Sequence, residues 1–126
     1  MIKELRIGNY YIAPNEKDTV LDRELLAELI EFDWFHILEP IPLTDEWKTK
    51  LSFKQYPYEP ENLNEGYYWS LQVIKGIYLT IEDGDDYAYL DYGLDFNGTK
   101  NLIKYQFVHE IQNVYNILKK EDITIK

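Results

Sequence analysis

Four polar residues near the C-terminus have the spacing of one face of a helix. They are His109, Gln112, Asn113 and Asn116, at positions i, i+3, i+4 and i+7, and residues three and four apart are neighbours on a helix surface. Imidazole and amide groups both donate and accept hydrogen bonds, so this stripe can bind a polar ligand or a partner. A polar helix face is more often solvated, with some hydrogen bonds to a neighbouring loop. Both interpretations stay open.

Metal and cofactor chemistry has little support in the sequence. The chain has two histidines and no cysteine, so a zinc site would need carboxylates as further ligands, and no HExxH spacing occurs. His36 lies among Trp34, Phe35 and Ile37, a context that favours a buried, hydrogen-bonded histidine over a catalytic one. We predict no metal site and no cofactor.

The second candidate is the acidic, tyrosine-rich run EDGDDYAYLDY at 82–92. It lacks the spacing of an EF-hand calcium loop, and paired carboxylates of the glycosidase kind occur in nearly any acidic protein. One interpretation is a hairpin whose acids keep a sheet edge soluble. The other is a surface for a basic protein, because tyrosine is enriched in interfaces and carboxylates pair with Lys and Arg. The candidate binding residues here are Asp83, Asp85, Asp86, Tyr87, Tyr89, Asp91 and Tyr92.

The tyrosines extend well beyond this run. Between Gln55 and Asp95 the chain carries eight tyrosines, Trp69, nine acids and one lysine. Tyrosine offers a large contact area and a polar tip at low cost in side-chain entropy. Acids interleaved with aromatic residues on a sheet are therefore suited to an Arg- and Lys-rich partner.

The overall charge narrows the class of partner. The chain has 23 acids against 13 bases, a net charge of −10. Nucleic-acid affinity depends largely on Lys and Arg at the phosphates, so direct binding to DNA or RNA is disfavoured.

The N-terminal residues read as neither a signal peptide nor a membrane span. We expect a soluble, cytoplasmic protein that does not bind membranes.

Apolar periodicity predicts the elements that position these residues. Residues 5–13 read as a strand with a bulge at Gly8-Asn9. The run RELLAELIEF has helical spacing, and Asp22 in front of it suits an N-cap. Residues 34–38 read as buried and extended.

The stretch EPIPLTDEW at 39–47 predicts a corner. Each proline excludes the preceding residue from the helical region, so Glu39 and Ile41 should be extended. Thr44 then stands where an N-cap belongs, with Asp45 and Glu46 near the positive end of the helix dipole. We predict a stiff extended segment that leads into a helix of about two turns.

The middle of the chain predicts an antiparallel meander. Strands are expected at residues 67–75, 77–81 and 87–92, after a proline-broken loop at 56–60, with turns at Asp83-Gly84 and Asn97-Gly98. Residues 105–120 then carry a clean apolar stripe at helical spacing. Residues 1–126 are therefore predicted to form a single α+β domain with helices packed on an antiparallel sheet.

Three motifs resemble those of an uncharacterised family of small phage and prophage proteins from gut bacteria. LRIGNYY at 5–11 is similar to the family's LRIGNYV, and the PIPLTDEW portion of the corner to PIPLTEEW. FVHEIQNVYNILKKEDI at 107–123 is similar to YVHQLQNLYFALTGEEL. Ser52 stands where the family has glycine, and Lys119-Lys120 where it has Thr-Gly. The resemblance implies an accessory protein of a mobile element in a bacterial cytoplasm, and implies no activity.

These observations favour a non-enzymatic protein that binds a host or phage protein and modulates host machinery or defence. The chain lacks GxGxxG, GxxxxGK[ST] and GxSxG, so the prediction leans against an enzyme. The alternative is a nucleotide-like ligand stacked on Trp69 or tyrosines, with Lys48, Lys50 and Lys54 near its phosphates. An enzyme using His109 is the least favoured hypothesis.

Overall fold

Two antiparallel sheets and three α-helices form the part of the chain that the structure describes. The computed structural model describes residues 5–13, 17–34, 37–91 and 103–126. The elements in chain order are β1 (Tyr10–Ile12), β2 (Asp18–Val20), α1 (Arg23–Phe32), α2 (Asp45–Lys50), β3 (Lys54–Pro57), β4 (Tyr67–Ile74), β5 (Ile77–Ile81), β6 (Tyr89–Asp91) and α3 (Val108–Lys119). The predicted α+β class is confirmed. Within these ranges, no helix has both the length and the apolarity needed to span a membrane.

The main sheet contains the predicted meander and one further strand, β3, at its edge, with strands in the order β3-β4-β5-β6. Its register shifts between Gln72 and Ile74, which is the signature of a β-bulge. The shift allows the consecutive residues Val73 and Ile74 both to contact the core, although strand neighbours normally point to opposite faces.

One face of the meander packs against α2 and α3 to form the main core. Alternate residues of β4 and β5 point inward, as a half-buried strand requires. Burying each such side chain contributes about 1.5–3 kcal/mol. The core includes Leu51, Val73, Leu79, Ile81, Leu90, Val108 and Ile111.

A second, smaller core lies under α1. Leu29 is the buried residue of this helix, and it clusters with Tyr11, Leu21 and Leu38. Asp22 caps the helix as predicted, because its carboxylate accepts from the Leu25 amide at 2.8 Å. The strand pair β1-β2 separates this cluster from the main core.

The EPIPLT segment is the predicted corner, and it joins distant parts of the chain. The Ile12 amide donates to the Glu39 carbonyl at 2.8 Å, and the Val108 amide donates to the Ile41 carbonyl at 2.9 Å. The segment therefore lies between β1 and the start of α3. The helix that follows it is capped by Thr44, as the sequence predicts.

The pattern predicts some elements poorly. β2 and β3 are not predicted, because one is a short polar strand and the other ends in Pro57. The expected first strand begins only at Tyr10, and Gly8 forms a turn rather than a bulge, with φ +98°. The Asn97-Gly98 turn and His36 lie outside the described residues.

Ser52 stands where the similar family motif has glycine, and its backbone is in the left-handed conformation. Its φ is +73°, its amide donates to the Thr49 carbonyl, and the Phe53 amide donates to the Lys48 carbonyl at 2.9 Å. This pair of bonds is the usual helix stop with a residue in the left-handed region after the last turn. Lys120, which follows α3, is also left-handed, with φ +64°, and its amide donates to the Asn116 carbonyl at 2.9 Å.

Ser52→Gly should stabilise the protein by about 0.5–1 kcal/mol. The left-handed conformation costs a residue with a β-carbon about 1–2 kcal/mol, and the greater freedom of unfolded glycine offsets part of the gain. Denaturant unfolding measures the difference, with Ser52→Ala as the control that keeps the β-carbon. Equal stability of the two variants would contradict a strained Ser52.

Candidate functional site

The polar stripe of α3 faces the chain's own N-terminal segment. Gln112 is only 2% exposed. Its Oε1 accepts from the Tyr10 amide at 2.8 Å, and its Nε2 donates to the Gly8 carbonyl at 3.2 Å. One side chain thus satisfies two backbone groups that begin β1.

Asn113 extends this contact one position along the helix. Its Oδ1 accepts from the Arg6 Nε at 3.0 Å and from the Asn9 Nδ2 at 2.7 Å. Arg6 also bonds Asp122 at 2.7 Å, and Asn116 donates to the same carboxylate at 3.0 Å. We call the bonded set of Arg6, Gly8, Asn9, Tyr10, Gln112 and Asn113 the amide clamp.

His109 lies inside the protein, one turn before the clamp. Its ring centroid is 5.2 Å from that of Tyr11 and 6.0 Å from that of Phe107. The stripe therefore divides: His109 and Gln112 are buried, whereas Asn113 and Asn116 keep partial exposure. Those two border an open concavity of about 320 Å³ beside Ile117, and their binding role stays a prediction.

The acidic run forms the connection between β5 and β6, residues 82–88. Asp83 and Asp86 are exposed there, and Asp85 is half-buried. The Asp85 amide donates to the Glu82 carbonyl at 3.0 Å, and Gly84 has φ +82°, so the predicted Asp-Gly turn lies within a longer loop.

The tyrosines of the same run differ in environment. The Lys104 ammonium lies 4.5 Å from the centre of the Tyr87 ring, a cation–π contact. Tyr89 is buried, Asp91 is half-buried in β6, and Tyr92 lies outside the described residues. The candidate residues thus span an exposed acidic loop and a partly covered strand.

Tyr89 is held by a charged partner. Its hydroxyl donates to the Glu82 Oε1 at 2.7 Å. Burial, followed by this bond and the charge of Glu82, raises the pKa of the Tyr89 phenol above its usual value.

The face of the meander opposite the core carries one tyrosine from each strand. Tyr56 pairs with Tyr68, Gln72 with Tyr78, and Thr80 with Tyr89. Side chains alternate along a strand, so these four tyrosines share the face opposite the core residues. We call Tyr56, Tyr68, Tyr78 and Tyr89, together with Tyr58 at the end of β3, the tyrosine face.

Three of these rings pack together at the β3 end, where Tyr68 stacks on Tyr56 and meets Tyr58 at a tilt of 41°. The Tyr68 centroid is 5.6 Å from that of Tyr56 and 5.3 Å from that of Tyr58. Tyr56 and Tyr58 are exposed by 41% and 40%. Sequence reasoning noted the density of tyrosines but missed this group, because it depends on the pairing of β3, a strand that the pattern does not predict.

Carboxylates border the stacked rings. The Asp83 amide donates to the Tyr58 hydroxyl at 3.0 Å, which joins the acidic loop to the end of β3. Tyr58, Glu59, Pro60 and Glu61 line an open concavity of about 390 Å³. We call Glu59, Glu61 and Asp83, together with Asp86, which is exposed in the same loop as Asp83, the acidic rim.

A metal ion has no candidate site here: among the described residues, no group of three or more His, Asp or Glu could hold one. Compared with known proteins, the chain matches no family model, no curated protein and no solved structure.

Gln112→Leu should lower the free energy of unfolding by about 2–3 kcal/mol, because it leaves the Tyr10 amide and the Gly8 carbonyl unpaired in a buried position. Asn116→Ala is the control, since its partner Asp122 is exposed, and it should cost less than about 1 kcal/mol. Urea unfolding measures both. Equal effects would show that the clamp does not stabilise the fold.

At alkaline pH, the free energy of unfolding should fall less steeply in Tyr89→Phe than in the wild type. An unfolded tyrosine ionises near pH 10, and the folded pKa of Tyr89 is raised. Its contribution is therefore complete below about pH 10 and declines above it by up to about 1.4 kcal/mol per pH unit. The stabilities of the wild type and Tyr89→Phe should converge as the pH rises.

Glu82→Gln provides the comparison for this experiment. This variant keeps the burial of Tyr89 and an acceptor for its hydroxyl but removes the charge. Its free energy of unfolding should therefore fall with pH less steeply than that of the wild type and more steeply than that of Tyr89→Phe. Parallel curves for the wild type and Tyr89→Phe would contradict a raised pKa.

Proposed function

We propose that the protein is a non-enzymatic binding protein that contacts a basic partner protein through the acidic rim and the β3 end of the tyrosine face, Tyr56, Tyr58 and Tyr68. The observation that carries this proposal is the group of Tyr56, Tyr58 and Tyr68 next to the acidic rim: the half-buried Tyr68 ring packs against the exposed rings of Tyr56 and Tyr58. This group makes the hypothesis from the sequence more specific, because it identifies which rings and acids lie together at the surface.

The physical chemistry of the face suits such a partner. Rings that already stack lose little further freedom on binding. Their faces attract guanidinium and ammonium groups, and aromatic residues and arginine dominate the binding energy of many interfaces. The acidic rim adds long-range attraction, which accelerates encounter with a positively charged surface.

The partner should bind the face rather than extend the sheet. The Tyr58 amide donates to the Gly66 carbonyl, and hydrogen-bonded pairs alternate along an antiparallel ladder. The backbone nitrogen of Pro57, one residue earlier, therefore faces away from β4. Because it belongs to a proline, it has no N–H to donate on that side. A proline at this place prevents pairing with an added strand.

The role in a phage or mobile element rests on the sequence resemblance. The three motifs that carry it meet in the fold: the N-terminal motif forms the amide clamp with the C-terminal one, and the EPIPLT corner bonds both β1 and α3. Motifs that contact one another support one shared scaffold more than three unrelated sites. Modulation of host machinery or defence is the proposed consequence of binding.

The two alternative functions have weaker support. A nucleotide needs cations, whereas Lys48 and Lys50 pair with Asp45 and Glu46 within α2. Trp69 packs against the core rather than on the tyrosine face. The buried position of His109 is also poorly suited to an enzyme, since a general base must reach its substrate.

Affinity capture from a nuclease-treated bacterial lysate tests the proposal, with bound proteins quantified by mass spectrometry. The wild type should capture a basic protein that Tyr56→Ser/Tyr68→Ser loses by about tenfold or more. Asp83→Lys/Asp86→Lys should lose it too, because both changes reverse charge on the acidic rim.

Glu39→Lys/Glu121→Lys is the matched control for charge. It changes the net charge by the same amount at exposed acids outside the tyrosine face, and it should keep the wild-type capture. If rim and control variants capture the protein equally, the tyrosine face is not the binding surface.

A further inference from the structure

The C-terminal end of α1 exposes a stacked aromatic pair. The ring centroids of Phe32 and Trp34 are 4.6 Å apart with an interplanar angle of 25°. Their exposed fractions are 51% and 41%. The Trp34 amide donates to the Leu29 carbonyl at 3.0 Å, which turns the chain back over the helix end and holds the pair in place.

A row of acids runs beside this pair. Glu28 lies one turn before Phe32 on the same side of the helix, and Glu24 and Glu31 lie next to Glu28. All three glutamates are exposed. From Asp22 to Asp33, α1 and its caps contain five acids and one base.

The charges at the end of α1 also oppose the helix dipole. The C-terminal end of a helix is negative and is stabilised by Lys, Arg or His. This last turn has no basic residue and instead carries Glu31, with Asp33 as the capping residue in the left-handed conformation. A cation from outside would therefore be attracted by the carboxylates and the helix end together.

We infer that Phe32, Trp34, Glu24, Glu28 and Glu31, the α1 patch, form a second docking site, for a basic amphipathic helix of a partner protein. The apolar side of that helix covers the aromatic pair. Its Arg or Lys residues bond the glutamates and lie over the rings, where a guanidinium gains both a cation–π contact and an ion pair.

Charge complementarity selects this occupant over two others. A second copy would bring its own five acids against these five, and like charges at close range are destabilising. An anionic lipid surface would be repelled in the same way. The α1 patch also lies on the small core, whereas the tyrosine face lies on the main sheet, so this site is independent of the proposed function.

A yeast-displayed library of helical peptides with randomised surface positions tests the inference, selected on the purified protein and counter-selected on Phe32→Ser/Trp34→Ser. The selected peptides should be basic and amphipathic. Synthetic versions should bind the wild type, measured by calorimetry, and lose about tenfold or more in affinity on Glu28→Lys/Glu31→Lys. That charge variant keeps both rings, so it remains informative if the aromatic variant unfolds.

Two controls separate this site from other surfaces. Ile117→Ser removes an apolar side chain of α3 that is more exposed than Phe32 or Trp34, and Tyr56→Ser/Tyr68→Ser disables the tyrosine face. Both variants should bind the peptides like the wild type. Loss on the tyrosine variant would assign the peptides to the other face and overturn the inference.

Three further results would also overturn it. These are recovery of peptides without basic residues, a dimer in sedimentation that Phe32→Ser/Trp34→Ser dissociates, and binding to anionic vesicles in preference to the peptides. Each would identify a different occupant or none. The tyrosine face would be unaffected by any of these outcomes.

Discussion

The bonds from the Gln112 side chain to the backbone of Gly8 and Tyr10 are the constraint on which the rest of the fold depends. They join residues more than a hundred positions apart, and closing so long a loop costs entropy that buried, satisfied contacts must offset. Both amide atoms of Gln112 have partners, which is the condition under which a buried polar group stabilises rather than destabilises. Once β1 is fixed on α3, the EPIPLT corner can bond both of them, and β2 and α1 can follow.

Negative charge is distributed in a way that stability alone does not explain. α2 places Asp45 and Glu46 at its first turn and Lys48 and Lys50 at its last, as the helix dipole favours. α1 does the reverse at its C-terminal end, and the tyrosine face gathers carboxylates beside aromatic rings. Natural sequences agree with local rules where only folding is at stake, and depart from them at functional sites. The two departures here coincide with the two exposed aromatic groups.

The sequence predicts local structure well and long-range pairing poorly. α1 after Asp22, α2 after Thr44, and β5 at residues 77–81 follow from capping residues and periodicity within a few positions. The amide clamp does not follow, because an i, i+3, i+4 polar stripe looks the same whether it faces solvent or another segment. The tyrosine face depends on the β3–β4 register. The sequence pattern does not predict β3, because this strand contains a proline. What the sequence did not predict was in each case which segment a residue contacts.

The strand β1 contributes side chains to the cores beneath both surfaces. Its side chains alternate, so Tyr11 packs into the small core under α1, while Tyr10 and Ile12 pack against the main core. A single strand shared by two cores leaves little freedom for one to move without the other, because close-packed interiors transmit strain. The α1 patch and the tyrosine face therefore lie on cores that share this strand. A partner with two basic segments that reach both surfaces would make its second contact as an intramolecular step, so the effective concentration of the second segment would add to its affinity.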